Sequence, residues 1–503
     1  MRRFWLLLIL LAPLAPFAAS ASAAEDAPVV RAAISRLREA VAPAAGQPSH
    51  RMLVALRQLR DPALRPVFEA LAASESPVAQ VHGQLGLAEL NDPPGLTLGQ
   101  LARLTDPAVQ AQVVAAAMDD ELLPDAAIGE MLAWDDLDTG VRLLLLQTLV
   151  ARGDIDDPAP MHEALDSRRL ARRSLAGLLL HQLGDPAGVR VLAELDRSDA
   201  PQRDAVRAML LRTAARHELG RAATWAHAAA TDEDAPAGLK RLALEVALRL
   251  GEPRAAERWR EAFAAAGDDL LERRRLAMIA LEVAPWVRPG LFSPLIESGE
   301  DFERQVGEAG RAVAQASPDA AEAVGRLVRT GHAGATQWAV GWSAKRADPA
   351  GARAVARVVI EQAEAGPRAG RMDRLEFAMQ AAAVLARRDP DGAVELLEPL
   401  LTEGGTDADL TRVILLGLTQ AEQENQWRWV AGLPRLPRLA DEQLALLFRA
   451  RSGRALSQRQ LRDLGLIVRG GGEVPPPLRL QAAWLYLERT GRAGRATEQL
   501  FRP

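Results

Sequence analysis

The chain has no cysteine, so it can carry neither a disulfide nor a lipid-modified amino-terminal cysteine. Tyrosine occurs once, at Tyr486, and isoleucine is scarce. That removes many of the β-branched and aromatic side chains that pack well on a pleated sheet. Lysine occurs only at Lys240 and Lys345 although Lys and Arg together number 61, and we read this arginine habit as genome composition, of a GC-rich bacterium, rather than as a binding signature. There is no excess of positive charge: the net of −5 gives no general attraction to nucleic acid or anionic lipid. Beyond the amino terminus no apolar run is long enough to span a bilayer; Val141 to Val150 is too short and contains Arg142 and Gln147.

What is present points to helix. The chain is 503 residues long, too long for one compact core, so several domains or one extended repeat array are expected. Apolar residues make up 49% and charged residues 25%, which excludes wholesale disorder. Alanine is the commonest residue, and it is the strongest helix former.

Arg2 and Arg3 precede the apolar run Phe4 to Leu11, then Pro13, Pro16 and a small-residue stretch at Ala18 to Ala24. A basic start, a short apolar core and an A-x-A site at Ala21-Ser22-Ala23 predict a secretory signal peptide over residues 1–23, cleaved after Ala23 or Ala24. An uncleaved anchor is the alternative; the run is short and broken by two prolines. Cleavage leaves 59 basic against 66 acidic residues and an exported, periplasmic (or secreted) soluble chain. A large helical core can dispense with the disulfides that export permits.

Val30, Ile34, Leu37 and Val41 are spaced by four, three and four residues, which puts them on one helix face. Leu64, Val67, Phe68 and Leu71 repeat the pattern, as do Val141, Leu144, Leu145 and Leu149, and Val394, Leu397 and Leu401. Strict alternation of strand-type residues is not found. The turns share a chemistry too. Asp61-Pro62, Asp92-Pro93, Asp106-Pro107 and Asp185-Pro186 each follow leucines five and two residues earlier. The leucines finish one apolar stripe, the aspartate accepts a free N–H of the next helix, and proline fits its first position because its missing N–H would be unpaired anyway. Glu252-Pro253, Asp348-Pro349 and Asp389-Pro390 continue the theme.

At LRQLRDPALRPVFEAL (56–71) and LLHQLGDPAGVRVLAEL (179–195) the chain resembles the HEAT-repeat family, in its short bacterial form. The intervals of 45 residues from Asp61 to Asp106 and 41 from Asp348 to Asp389 suit that repeat; the 31 from Asp61 to Asp92 departs from it. The segments 248–263, 385–401 and 485–500 look more like tetratricopeptide hairpins. Either resemblance implies an all-α, right-handed superhelical α-solenoid of stacked helix hairpins, and neither brings catalytic residues with it. The expected organisation is HEAT-like repeats over 24–290, continuing helical repeats over 291–469, and a linker with C-terminal capping helices over 470–503. Proline and glycine clusters at Ala284–Pro294 and Gly470–Pro477 mark these boundaries, and a kinked but continuous array predicts the same punctuation.

No convergent catalytic set emerges. His162-Glu163 has Asp166 where a zinc-protease helix needs its second histidine, and His217-Glu218 fits worse. No G-x-S-x-G elbow exists, and Gly470-Gly471-Gly472 lacks the strand and helix of a phosphate loop. Acid clusters at Asp135-Asp136 with Asp138, at Asp154 with Asp156 and Asp157, and at Asp232-Glu233-Asp234 read as caps and solvated turns. No catalytic, metal or cofactor residue is therefore assigned. The candidate contacts are Trp338 and Trp342, one turn apart, Trp427 and Trp429, and the basic group Arg168, Arg169, Arg172 and Arg173; Arg273-Arg274-Arg275 forms a second basic group. Tryptophan in a repeat array either fills the space between hairpins or anchors a partner on the groove. The function expected is a non-enzymatic scaffold or assembly factor that binds a protein or peptide of the cell envelope. The alternatives are an enzyme of cell-wall or polysaccharide metabolism using two groove carboxylates, and a structural spacer.

Overall fold

The computed structural model describes residues 28–40, 50–155, 157–199, 202–287, 289–366, 370–403, 405–420, 436–451, 456–469 and 476–490. These form 27 α-helices, three short 3-10 turns and, among the described residues, no strand. The signal-peptide segment, Trp427, Trp429 and the glycine triplet at Gly470 lie outside the described residues.

The helices group into two compact units, Met1–Ala133 with Glu442–Pro503, and Trp134–Asp441. The first unit begins with α1 (Pro28–Ala40), α2 (His50–Arg57), α3 (Arg65–Ala72), α4 (Pro77–Glu89), α5 (Leu98–Leu101), α6 (Pro107–Asp119) and α7 (Asp125–Leu132). The second contains α8 (Thr139–Arg152), α9 (Ala159–Ala164), α10 (Leu170–Leu183), α11 (Pro186–Asp196), α12 (Arg203–Arg216), α13 (Ala223–Thr231), α14 (Ala237–Arg249), α15 (Ala255–Ala265) and α16 (Leu270–Val287). It continues with α17 (Ser293–Ile296), α18 (Asp301–Ala314), α19 (Ala320–Arg329), α20 (Ala333–Lys345), α21 (Pro349–Ala365), α22 (Arg371–Arg388), α23 (Pro390–Thr402) and α24 (Ala408–Gln420). The chain then runs through α25 (Leu439–Arg451), α26 (Gln458–Val468) and α27 (Pro476–Thr490), and α27 packs against α2 and α1 within the first unit.

In the second unit helices pack on their neighbours and on the next helix but one: α8, α10, α12, α14 and α16 touch in succession, and α20, α22 and α24 do likewise. The hairpin 179–195 shows why the sequence folds this way locally. Gly184, at φ 87°, ends α10 in the left-handed conformation that favours glycine. The Asp185 side chain then accepts the N–H of Ala187, and Pro186 opens α11. Gly188 lets α11 pass so close to α10 that a Cβ there would overlap the backbone of His181.

The aspartate cap is present at Asp61, Asp106, Asp185, Asp348 and Asp389. It is absent at two other positions, and chemistry explains both. Two residues after Asp92 stands Pro94, which has no N–H to give, and the N–H of Gly95 is taken by the Ala88 carbonyl at 2.9 Å, so the next helix starts at the Thr97–Gln100 capping box instead. At Glu252 the longer carboxylate turns to Thr224 and Arg254, and α15 begins after Arg254 without a side-chain cap.

Ion pairs cross between hairpins at a recurring sequence separation. Arg57–Glu89, Arg172–Asp138, Arg241–Glu272, Arg273–Glu303, Arg353–Asp389 and Arg371–Asp407 join residues 30 to 36 apart at 2.5–3.3 Å. Tryptophans fill spaces between helices. Trp259 of α15 is fully buried, stacks on Phe263 and donates to the Leu276 carbonyl of α16 at 2.9 Å. Trp225 of α13 donates to Asp196 of α11 at 3.0 Å.

Candidate functional site

An open groove of about 460 Å3 that carries several charged side chains lies in the second unit, between α14, α16 and the turn before α20. Helical periodicity builds its walls. Arg241, Leu242 and Glu245 recur at three- and four-residue steps on α14, and Leu271, Arg274, Arg275, Met278, Ile279 and Glu282 do so on α16. The floor is apolar (Leu242, Met278 and Ile279), and Leu271 stands at the rim, 60% exposed.

Charge divides along the groove. At one end Arg241 and Arg275 share Glu272, at 3.3 and 3.4 Å. Arg274 lies over the Phe302 ring, 5.8 Å from its centroid, and makes no ion pair among the described residues. At the other end Glu245 is paired with Arg249 at 3.2 Å, while Glu282 has no ion pair among the described residues. Desolvation pushes Glu245 above the usual carboxylate range against the opposing charge of Arg249. Desolvation also raises Glu282, the charge of Glu245 adds to it, and Arg249 opposes. Glu282 is open to water on one side, yet the concave protein wall around it thins the solvent that would stabilise its charge.

His332 completes the site. Its Nδ1 accepts the N–H of Ala335 at 3.3 Å and so caps α20, which leaves the ring proton on Nε2. Burial lowers its pKa and the Arg274 charge lowers it further, so the imidazole is held neutral. The ring also leans on Phe302, with centroids 4.5 Å apart. A groove with an apolar floor, one arginine cluster, one carboxylate cluster and a neutral histidine donor can hold a ligand by hydrophobic contact and by charges of both signs.

A second groove of about 430 Å3 lies against α19, α20, α21 and α22, with Arg329, Asp373, Arg374 and Phe377 among its lining. Trp338 and Trp342 line neither groove: Trp342 is buried, 9% exposed, and Trp338 is half-buried on the same helix. Arg168 and Arg169 are exposed but precede α10, so the four arginines, whose spacing would place them along one side of a single helix, do not share a helical face. Arg172 is held by Asp138 at 2.7 Å, and Arg173 is half-buried. The sequence reading noted Arg273, Arg274 and Arg275 as a basic group without assigning them a contact; Arg273 is tied to Glu303 while Arg274 and Arg275 face the groove. It passed over Arg241, Glu245 and Glu282. Glu245 and Glu282 are 37 residues apart, about one hairpin repeat, and only that spacing could have paired them.

The acid clusters are structural in part: Asp138 caps α8 and binds Arg172, Asp157 caps the turn at Ala159, and Asp232 binds Arg207 at 2.8 Å. His162 Nε2 donates to the Asp185 carboxylate at 2.8 Å, beside the cap of α11. Among the described residues no group of three or more histidine and carboxylate side chains is placed to hold a metal ion, and no helix is long and apolar enough to cross a membrane. No family model matches this chain, and none of the curated proteins matches it.

Proposed function

We propose that this protein is an exported, periplasmic α-solenoid of HEAT- and tetratricopeptide-like hairpins. Its proposed role is that of a non-enzymatic scaffold or assembly factor that binds a protein or peptide segment of the cell envelope. The observation that carries the reading is the groove between α14 and α16, whose apolar floor and charged ends suit a polypeptide better than an isolated small molecule. The succession of helix contacts and the ion pairs recurring at 30 to 36 residues support a repeat array. Such arrays present extended concave surfaces to partners.

The test places a photo-crosslinking residue at Leu271, exposed on the groove rim, and in a second strain at Val189, 54% exposed on α11. Irradiated intact cells are fractionated and the crosslinked species read by mass spectrometry. One partner recovered in near-stoichiometric amount through Leu271 but not Val189, in the envelope fraction, is the expected result. No species captured through either position overturns the scaffold reading.

One observation favours a second reading. Glu245 and Glu282 are two carboxylates with raised pKa on one groove, the kind of pair that polysaccharide hydrolysis uses. Release of reducing sugar from wall glycan, abolished in Glu282→Gln, is what that reading requires; no release removes it.

A further inference from the structure

We infer that the groove between α14 and α16 recognises an extended peptide segment carrying one acidic and one basic side chain four residues apart, with apolar residues between them. The inference rests on the peptide-binding reading above and names the chemistry of the segment.

Both walls of the groove run in the same sense. Arg241 of α14 meets Glu272 of α16 near the start of each helix, and the charge of Glu245 is felt by Glu282 toward the end of each. Along either wall the order is therefore arginine, apolar, glutamate. Most of these charges are already satisfied within the protein: Arg241 and Arg275 share Glu272, and Glu245 has Arg249. Arg274 and Glu282 are the two that lack an ion pair among the described residues, and they stand at opposite ends of the same groove wall. A cation and an anion left without an ion pair beside an apolar floor are complementary to a ligand carrying the opposite charges at the matching separation.

That separation follows from helix geometry. Eight residues from Arg274 to Glu282 rise about 12 Å along α16. An extended peptide rises about 3.3 Å per residue and turns every second side chain to the same side, so side chains four apart sit about 13 Å apart on one face. A segment of the form acid-x-apolar-x-base, in either chain direction, sets its carboxylate against Arg274 and its cation against Glu282. Its central apolar side chain then falls over Leu242, Met278 and Ile279. Leu271 at the rim extends the apolar contact beyond the arginine end. A free amino acid is too short to reach both charges, and a nucleic acid would meet Glu282 with repulsion.

The probe is a fluorescein-labelled peptide Lys-Ala-Leu-Ala-Glu, blocked at its carboxyl end, titrated with the mature protein and followed by anisotropy. Gln-Ala-Leu-Ala-Gln is the neutral comparison. The charged peptide is expected to bind more tightly by about fivefold for each satisfied end. Charge reversal supplies the decisive readout. Arg274→Glu should turn the preference to Lys-Ala-Leu-Ala-Lys, and Glu282→Arg to Glu-Ala-Leu-Ala-Glu. Circular dichroism melts of both variants establish that they are folded. Equal binding of charged and neutral peptides, or reversals that leave the preference where it was, overturns the inference. The scaffold reading fails separately. If the Leu271 crosslink captures an envelope partner and Arg274→Glu captures the same amount, the scaffold stands and the charge-pair inference falls. If nothing is captured, both fall.

Discussion

Trp484 donates its indole N–H to one carboxylate oxygen of Asp61, 423 residues earlier in the chain, while the other oxygen caps the turn that starts at Pro62. One side chain thus ends a local motif and receives a contact from the far end of the sequence. Gln481, one turn before Trp484, adds a hydrogen bond to Gln58 at 3.0 Å, so α27 is fastened to the end of α2 and the turn that follows it by side chains as well as by packing.

Replacing Trp484 by Phe removes the donor together with a small part of the buried ring. Hydrogen bonds to a charged acceptor contribute about 1.5–3 kcal/mol. Trp484→Phe should therefore lower unfolding stability by about 2 kcal/mol in urea titrations. Leu487→Phe in the same helix, which keeps the donor, is the comparison for a packing change alone. A Trp484→Phe variant as stable as the parent contradicts the assignment.

Acid should loosen the same unit through His82. Burial lowers this imidazole to about 4, the charges of Arg57 and His50 push the same way, and Asp120 opposes. Its Nε2 is 2.9 Å from Nδ1 of His50. Between the unfolded value of about 6.5 and the folded one, the unfolded chain binds a proton that the folded chain does not. Stability is then fully present above about pH 6.5 and is lost as pH falls toward 4, by roughly 3 kcal/mol in all. Denaturation from pH 7 to 4 should show a shallower loss in His82→Gln than in the parent. Parallel curves would remove His82 as the source.

Arg207 of α12 is 3% exposed and holds Asp232 at 2.8 Å and Asp196 at 3.1 Å, with Asp204 of its own helix farther off at 3.9 Å. Asp196 is an ion pair without hydrogen-bond alignment: burial raises its pKa, against Arg207 and the Trp225 donor. Asp232 has the directed bond from Arg207, and its pKa is lowered chiefly by it. Arg207→Met leaves both acids without their cation, and about 3 kcal/mol of stability should be lost. Replacing Asp196 as well, by Asn in the Met background, should recover part of that loss, which a double-mutant comparison measures.

Gly188 tests the close approach of α10 and α11. A methyl group there meets His181 backbone and the Gly177 carbonyl, neither of which can swing aside. Gly188→Ala should cost about 1–3 kcal/mol despite alanine's better helix propensity. Gly220→Ala, where nothing lies within reach, is the comparison and should leave thermal stability close to that of the parent.

Much of the helix pattern was legible because its causes are local. Apolar residues at three- and four-residue steps specify a buried helix face. An aspartate followed by proline specifies a start where the N–H two or three places on is free to meet it, as at Asp61 and Asp348; after Asp92, Pro94 has none and the Gly95 N–H is taken by the Ala88 carbonyl. The groove was not legible. Trp338 and Trp342 drew attention as large residues, but burial of Trp342 follows from which face of α20 meets its neighbours, and no local pattern states that.

By itself, then, the sequence determined that the chain is helical and where many helices begin and end, because capping, propensity and periodicity act over fewer than about ten residues. Only the tertiary structure decided which charges are spent in ion pairs inside the protein and which are not. Arg273 and Arg274 are adjacent and chemically identical, yet one is closed off by Glu303 and the other faces the groove. The same holds for Asp61 and Trp484, which meet within the first unit although 423 residues separate them. Successive side chains on a helix point about 100° apart, so neighbours in sequence become strangers in space, and partners are set by packing alone.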